Sequence, residues 1–190
     1  MSGADPIATP PSRQAGVWNI ANLLTLIRIL LVPLFVWLLF HDGTGWRLAA
    51  LLVFAVASLT DRIDGELARR HNLVTDFGKI ADPIADKALT GSALIGLSII
   101  GDLWWWVTVV ILVREIGITL LRFVVIRYGV IPASKGGKLK TMLQILAIGF
   151  YVCPGPLDPI RWALMGAALI VTVVTGLDYV VQAWRLARRT

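Results

Sequence analysis

Six long apolar segments separated by short polar connections constrain the fold of this chain more than any other feature. The segments cover residues 20–40, 46–60, 80–100, 103–126, 139–152 and 160–184. A helix of about 20 apolar residues spans the hydrocarbon core of a bilayer and satisfies its own backbone hydrogen bonds there. Only 16% of the residues are charged, against about a quarter in an average soluble domain. The sequence therefore predicts an all-α integral membrane protein with six transmembrane helices.

The second and fifth apolar segments are short for a membrane span unless their polar flanks are also helical. The second can continue through Arg69, and the fifth can begin at Gly137. Both continuations carry charged side chains, so these helix ends are expected in the aqueous boundary or around a polar cavity. Residues 1–16, rich in Pro, Ser, Gly and Ala, are expected to form a flexible cytoplasmic tail, and residues 17–190 the six-helix membrane domain.

Lysine and arginine lie mainly in alternate connections, which predicts the orientation of the helices. The basic residues of these connections and of the C-terminal tail are Arg62, Arg69, Arg70, Lys79, Arg127, Lys135, Lys138, Lys140, Arg185, Arg188 and Arg189, whereas the opposite connections contain little beyond Arg47 and Arg161. By the positive-inside rule both termini face the cytoplasm. The net charge of +6 then indicates contact with anionic membrane lipids rather than with nucleic acid.

Four aspartates lie between the second and third apolar segments, where carboxylates at or near membrane depth are costly unless something binds or neutralises them. Asp61 and Asp64 are three residues apart, and Asp82 and Asp86 are four apart. At either spacing the two side chains share one face of a helix. Two antiparallel helices joined near Asn72 would bring the two pairs together. The pattern predicts a cytoplasmic acidic site.

The ligand chemistry of these carboxylates favours a metal site. Oxygen ligands without Cys or His select hard ions such as Mg²⁺ or Mn²⁺, and four carboxylates suit two ions that clamp a phosphoryl group. Gly65 and Ala68 continue the face of Asp61 and leave room for a ligand or for a second helix. The alternative is a solvated acidic rim paired with Arg62, Arg69 and Arg70.

The same residues carry a family resemblance. Asp61-x-x-Asp64-Gly65-x-x-Ala68-Arg69, eight further residues, then Gly78-x-x-x-Asp82-x-x-x-Asp86 resembles the signature of the CDP-alcohol phosphotransferases, with every fixed position filled. That family transfers a phosphatidyl or similar group from a CDP-linked donor to an alcohol, releases CMP, uses divalent metal and is commonly dimeric. The resemblance implies the six-helix fold of the family and a homodimer. A bacterial inner or plasma membrane is the expected location, and the placement of lysine and arginine predicts that the active site faces the cytoplasm.

The resemblance also implies roles for the matching positions. Asp61, Asp64 and Asp82 would hold the metal ions, and Asp86 would share one or act as base on the acceptor hydroxyl, which makes Asp82 and Asp86 the expected catalytic residues. The positions expected to bind the CDP donor within the signature are Gly65, Ala68, Arg69 and Gly78. Direct in-line attack is expected, since the motif contains no Ser, Cys or His nucleophile.

Basic residues beyond the signature indicate the acceptor. Arg114 and Arg122 are eight residues apart, on roughly one face of the fourth helix, and Lys138 and Lys140 follow in GGKLKT. The planar fork of arginine suits phosphate, so these four residues predict a phosphate pocket for a phosphorylated acceptor. The alternatives are membrane anchoring for Arg122, Lys138 and Lys140, and an internal pair with Glu115 or another acid for Arg114.

Three pieces, NLLTLIR at 22–28, REIGITLLR at 114–122 and PASKGGKLKT at 132–141, resemble the branch of the family that joins CDP-diacylglycerol to sn-glycerol 3-phosphate. The resemblance puts Asn22, Thr25 and Arg28 near the nucleotide or the acceptor; Asn22 and Thr25 are expected to contact the CDP donor, with helix–helix hydrogen bonding as the alternative. The same signature also fits inositol phosphate or another alcohol as acceptor. A metal or ion transporter that uses the aspartates is a different class that the sequence leaves open.

Overall fold

A computed structural model describes residues 20–70, 76–125 and 135–188 of the chain. Within these ranges the side chains of residues 20–22, 61–70, 76–83, 86, 135 and 187 lie outside the description, as do the predicted tail of residues 1–16 and the connection around Asn72. The described part of the chain forms six α-helices. They are α1 (Ile20–Leu39), α2 (Thr44–Arg70), α3 (Asp76–Ile99), α4 (Trp105–Val125), α5 (Lys135–Val152) and α6 (Asp158–Ala187).

The all-helical prediction is confirmed, and each helix coincides with one apolar segment. The two short segments are extended by their polar flanks as expected: α2 runs on to Arg70 and α5 already begins at Lys135. Both extensions carry the residues of the predicted site. The aspartates and lysines therefore lie on continuous helices whose apolar parts pack into the bundle.

The core of the bundle lies mainly between α1, α2, α3 and α5. Helix α1 packs against α2 and α3, α5 packs against α2 and α6, and α4 contacts α3 and α6. The rings of Phe35 and Phe54, both completely buried or nearly so, lie 5.6 Å apart where α1 meets α2. A Cβ on Gly96 would lie 2.7 Å from Leu39 Cδ2, so glycine there lets α3 approach α1 closely.

Three tight connections, between α1 and α2, α3 and α4, and α5 and α6, lie at one end of the bundle. Each contains a glycine with positive φ: Gly43 at 117°, Gly101 at 83° and Gly155 at 113°. Arg47 at the start of α2 pairs with Asp102 beyond the end of α3 at 2.6 Å, which fixes α2 and α3 as antiparallel neighbours. Exposed tryptophans gather here, and we call it the Trp-rich end: Trp46, Trp104, Trp105, Trp106 and Trp162.

The outer surface of the bundle is strongly apolar. Large hydrophobic side chains are exposed along most of its length, up to 66% for Leu52 and 70% for Phe123. Monomeric soluble proteins rarely expose contiguous apolar surface on this scale. By length and composition, Asp158–Leu186 in α6 is the described stretch that suffices to cross a membrane, and Leu23–Leu39, Thr44–Thr60 and Lys87–Ile99 are shorter apolar stretches.

Candidate active site

The predicted acidic site belongs to two helices that contact each other. Asp61 and Asp64 lie within about the last three turns of α2, and Asp82 and Asp86 within about the first three turns of α3. Helices α2 and α3 are in contact and antiparallel, so the backbone carries the two pairs on neighbouring helix ends, away from the Trp-rich end. The four carboxylates themselves lie outside the described residues.

The expected donor-binding residues flank these aspartates along the same helices. Gly65, Ala68 and Arg69 lie in α2 and Gly78 in α3, while Asn22 lies in the first turn of α1; like the aspartates, their side chains lie outside the description. Thr25 and Arg28 follow on α1 and are described. They are 1% and 0% exposed, and both take part in polar or electrostatic interactions. A charged arginine buried on α1, which packs against both aspartate-bearing helices, is consistent with the expectation that this face borders the site.

A cluster of four charged residues, which we call the Glu115 cluster, joins α3, α4 and α5. Lys140 Nζ donates a hydrogen bond to Glu115 Oε1. Lys87 Nζ lies 3.4 Å from Glu115 Oε2 and 3.3 Å from the Glu115 carbonyl oxygen. Arg114 Nη1 lies 3.3 Å from Glu115 Oε1. One carboxylate thus contacts three cations from three helices.

Arg114 also links the Glu115 cluster to α6. Its Nε donates to the Thr172 carbonyl at 3.1 Å and its Nη2 donates to Thr175 Oγ1 at 2.9 Å. Thr175 Oγ1 in turn donates to the Val171 carbonyl at 2.7 Å. A Cβ on Gly176 would lie 3.0 Å from Arg114 Cγ, so the glycine makes room for the arginine. Together with the Nη1 contact to Glu115, these contacts use three of the five N–H donors of the Arg114 guanidinium.

The Glu115 cluster adjoins the aspartate-bearing end of α3, because Lys87 directly follows Asp86 in that helix. The side chains are mostly withdrawn from solvent: Lys140 is 8% exposed, Glu115 and Arg114 16%, and Lys87 34%. Three cations and one carboxylate leave a net charge of +2. A partly buried positive group of this kind is suited to an anionic ligand.

Of the four predicted phosphate ligands, the structure brings two together. Arg114 and Lys140 meet in the Glu115 cluster, and the Arg114–Glu115 pair, the alternative for this arginine, is present beside its other contacts. Arg122 lies two turns further along α4, with its guanidinium 6.0 Å from the centre of the Tyr179 ring. Lys138 is exposed near the start of α5. Within the described contacts, Arg122 and Lys138 lie outside the cluster.

The sequence indicates Glu115 only as a partner for Arg114, and it gives no sign that Lys87 belongs to the same cluster. The sequence signal for an ion pair is an acid next to an arginine in the middle of an apolar helix, where an unpaired carboxylate is costly. That signal indicates a pairing, but only the packing of α3, α4 and α5 identifies the partners.

A helical bundle with an apolar exterior and a cationic cluster beside acid-bearing helix ends is typical of a membrane protein with a site suited to anionic ligands. Residues 18–174 match the family of CDP-alcohol phosphatidyltransferases. This match covers most of the chain, and the protein belongs to that family, whose members are membrane-bound enzymes. The resemblance carried by the aspartate signature is thereby confirmed.

Individual relatives agree with this assignment. The chain is 53% identical over 187 residues to a protein of Mycobacterium tuberculosis named "Probable phosphatidylglycerophosphate synthase", covering 96% of this chain and 90% of the relative. It is 36% identical over 186 residues to the CDP-diacylglycerol–glycerol-3-phosphate 3-phosphatidyltransferase of Bacillus subtilis, covering 88% and 96%. A protein of the same name from Rickettsia typhi is 35% identical over 168 residues, covering 85% and 94%.

Proposed function

We propose that the protein transfers the phosphatidyl group of CDP-diacylglycerol to a free hydroxyl of sn-glycerol 3-phosphate, giving phosphatidylglycerophosphate and CMP. The observation that carries this proposal is the 53% identity, over nearly the whole chain, to a relative named as a phosphatidylglycerophosphate synthase. The net charge of the Glu115 cluster supports it independently, because a phosphorylated acceptor needs cations beside the reacting groups.

The four aspartates are proposed to hold two divalent cations, Mg²⁺ or Mn²⁺. The donor set fits, since it offers only oxygen ligands from two helices that contact each other, and hard cations prefer such ligands. When bound, these ions would supply positive charge to the donor diphosphate and to the developing charge on CMP. Asp61, Asp64 and Asp82 are the proposed ligands, shared with Asp86.

Side chains of the protein itself are proposed to accept the proton, bind the acceptor and contact the donor. Asp86 is proposed to accept the proton of the attacking hydroxyl, for which a carboxylate within hydrogen-bond reach is required. Arg114 and Lys140 would bind the acceptor phosphate and orient that hydroxyl for in-line attack, with Arg122 and Lys138 completing the basic surface. The proposed donor contacts are Asn22, Thr25, Gly65, Ala68, Arg69 and Gly78.

In the membrane, we propose that all six helices span the bilayer with both termini in the cytoplasm. The exposed apolar surface and the tryptophans at one end of the bundle support this arrangement. The end opposite the Trp-rich end, which we call the basic end because it carries Arg69, Arg70, Lys138 and Arg185, would then face the cytoplasm at a bacterial inner membrane, where the water-soluble acceptor is available. A homodimer, common in the family, is part of the same proposal.

The test is an assay of the purified full-length protein in detergent with CDP-diacylglycerol, Mg²⁺ and one alcohol at a time. We expect phosphatidylglycerophosphate and CMP in equal amounts with sn-glycerol 3-phosphate, and loss of both products with EDTA. Activity with inositol phosphate alone would overturn the acceptor assignment but leave the reaction class intact.

The Asp82→Asn variant separates an enzyme from a transporter that uses the same aspartates. We expect this variant to insert into the membrane as wild type does and to release no CMP. Full phosphatidyl transfer in Asp82→Asn would remove Asp82 from the site. Transport of divalent cations into vesicles without any CMP release by the wild type would contradict the enzymatic proposal altogether.

A further inference from the structure

We propose that Glu115 is a positioning residue for the acceptor phosphate, which holds Lys87, Arg114 and Lys140 together as one cationic group. Neither Glu115 nor Lys87 has a role in the proposed reaction so far. The inference rests on the proposed function, because it assumes that a phosphorylated alcohol is the acceptor. The role of Glu115 would explain why the proposed acceptor site is selective for a phosphate monoester.

The geometry of the Glu115 cluster requires an organising anion. Lys87, Arg114 and Lys140 come from three different helices, and their charged groups converge on the two oxygens of a single carboxylate. Without that carboxylate, three like charges would repel one another in a site largely withdrawn from water. The flexible lysine stems would then carry the ammonium groups apart, and the anion site would lose its shape.

Enough donor capacity remains in the cluster to bind a ligand while Glu115 stays in place. A lysine ammonium has three N–H donors and a guanidinium has five, and the contacts with Glu115 use only part of them. Lys87, at 34% the most exposed of the four side chains, marks the accessible side of the cluster. A ligand phosphate can therefore bridge the same cations that Glu115 gathers.

The net charge of the cluster selects the class of acceptor. A phosphate monoester carries about −1.5 to −2 charges at pH 7, which complements the net +2 of three cations and one carboxylate. A neutral alcohol such as inositol, or a zwitterion such as serine, would leave those cations uncompensated. Glu115 thus tunes the site to an alcohol that bears one phosphate group.

The test compares Glu115→Gln, Glu115→Asp and wild type as full-length protein in detergent with CDP-diacylglycerol and Mg²⁺. We expect Glu115→Gln to raise the KM for sn-glycerol 3-phosphate about tenfold or more, the size expected when charged hydrogen bonds are lost. The inhibition constant of inorganic phosphate should rise in parallel, whereas the KM for CDP-diacylglycerol should stay within about twofold. Glu115→Asp should recover most of the lost affinity.

The matched control is Asp102→Asn, which also removes a carboxylate from an ion pair but at the Trp-rich end; it should leave both KM values unchanged. An unchanged KM for sn-glycerol 3-phosphate in Glu115→Gln overturns the inference, and so does a lower one, which would make Glu115 a competitor of the phosphate. Equal loss of affinity for both substrates in Glu115→Gln and Glu115→Asp also overturns it, since that is the result of a structural defect.

If Glu115→Gln does not fold, the partly exposed Lys87→Gln carries the test. It should raise the KM for sn-glycerol 3-phosphate selectively, and an unchanged value would contradict the inference. Failure of the proposed function looks different: the wild type itself would then be inactive with sn-glycerol 3-phosphate. If the wild type is active with sn-glycerol 3-phosphate and Glu115→Gln has the same KM for it, only the positioning role of Glu115 is contradicted.

Discussion

At the scale of single residues, the space at Gly176 limits where the side chain of Arg114, a residue of the proposed acceptor site, can lie. A Cβ at position 176 would lie 3.0 Å from Arg114 Cγ and 3.2 Å from its Nε. Gly176→Ala should therefore displace the arginine from the Thr172 carbonyl. We expect a several-fold rise in the KM for sn-glycerol 3-phosphate. The lost hydrogen bond costs about 1–3 kcal/mol, and the better helix propensity of alanine, about 1 kcal/mol relative to glycine, offsets part of that cost, so the unfolding midpoint should fall only slightly.

Gly166 provides the matched control for this substitution within the same helix. A Cβ on Gly166 would meet no described atom within 4 Å. Gly166→Ala should raise the unfolding midpoint in detergent by a few degrees, and its KM for sn-glycerol 3-phosphate should equal that of wild type. Kinetics that are the same for Gly176→Ala and Gly166→Ala would show that Arg114 does not depend on the space at position 176.

The sequence indicates some of these residues and not others for a physical reason. The aspartate signature is readable because spacings of three and four place side chains on one helix face without reference to the rest of the fold. Arg114 and Lys140 were predicted to share a pocket, and they do meet. The convergence of Lys87 and Lys140 on Glu115 depends on which helices are neighbours. Hydropathy and residue spacing within one helix carry no information about these neighbours.

At the scale of helices, specific side-chain contacts fix the helix ends, most clearly the end of α5, which the sequence already predicts at Val152. Arg161 of α6 donates from Nε to the Phe150 carbonyl at 2.9 Å and from Nη2 to the Cys153 carbonyl. The last carbonyls of a helix have no partner within it. This arginine, predicted only as a sparse charge in an outer connection, therefore satisfies two of them.

Arg161→Ala should destabilise the protein without altering the chemistry, since the cap lies at the Trp-rich end. Loss of charged hydrogen bonds to these partly buried carbonyls costs about 1–3 kcal/mol, and about 2–4 °C of unfolding midpoint follows per kcal/mol for a chain of this size. The comparison is Asp158→Asn, which removes the exposed partner of Arg161 at 3.1 Å and should cost about 1 kcal/mol or less. Equal midpoints for the two variants, measured in detergent, would contradict the capping role.

At the scale of the whole molecule, the distribution of apolar surface explains what composition alone could predict. Hydropathy predicted six helices because membrane-type helices are apolar on the lipid face as well as on the packed face. For the same reason it could not distinguish the two faces. The buried side of α4 contains Val107, Thr108 and Ile111, while Val113 and Phe123 of the same helix are exposed. Packing partners, absent from a single sequence, decide between them.

The orientation of the bundle can be tested with single cysteines, because Cys153 is the only cysteine of the chain. In a Cys153→Ser background, Asp42→Cys would lie in the exposed α1–α2 connection and Arg185→Cys in the exposed last turn of α6, at opposite ends of the bundle. A membrane-impermeant maleimide should label Asp42→Cys in intact spheroplasts and Arg185→Cys only after permeabilisation, since the basic end stays in the cytoplasm. The reverse pattern would put the aspartates on the outer face of the membrane. There they would be separated from sn-glycerol 3-phosphate in the cytoplasm and from the headgroup of CDP-diacylglycerol in the cytoplasmic leaflet, so the proposed reaction requires the first result.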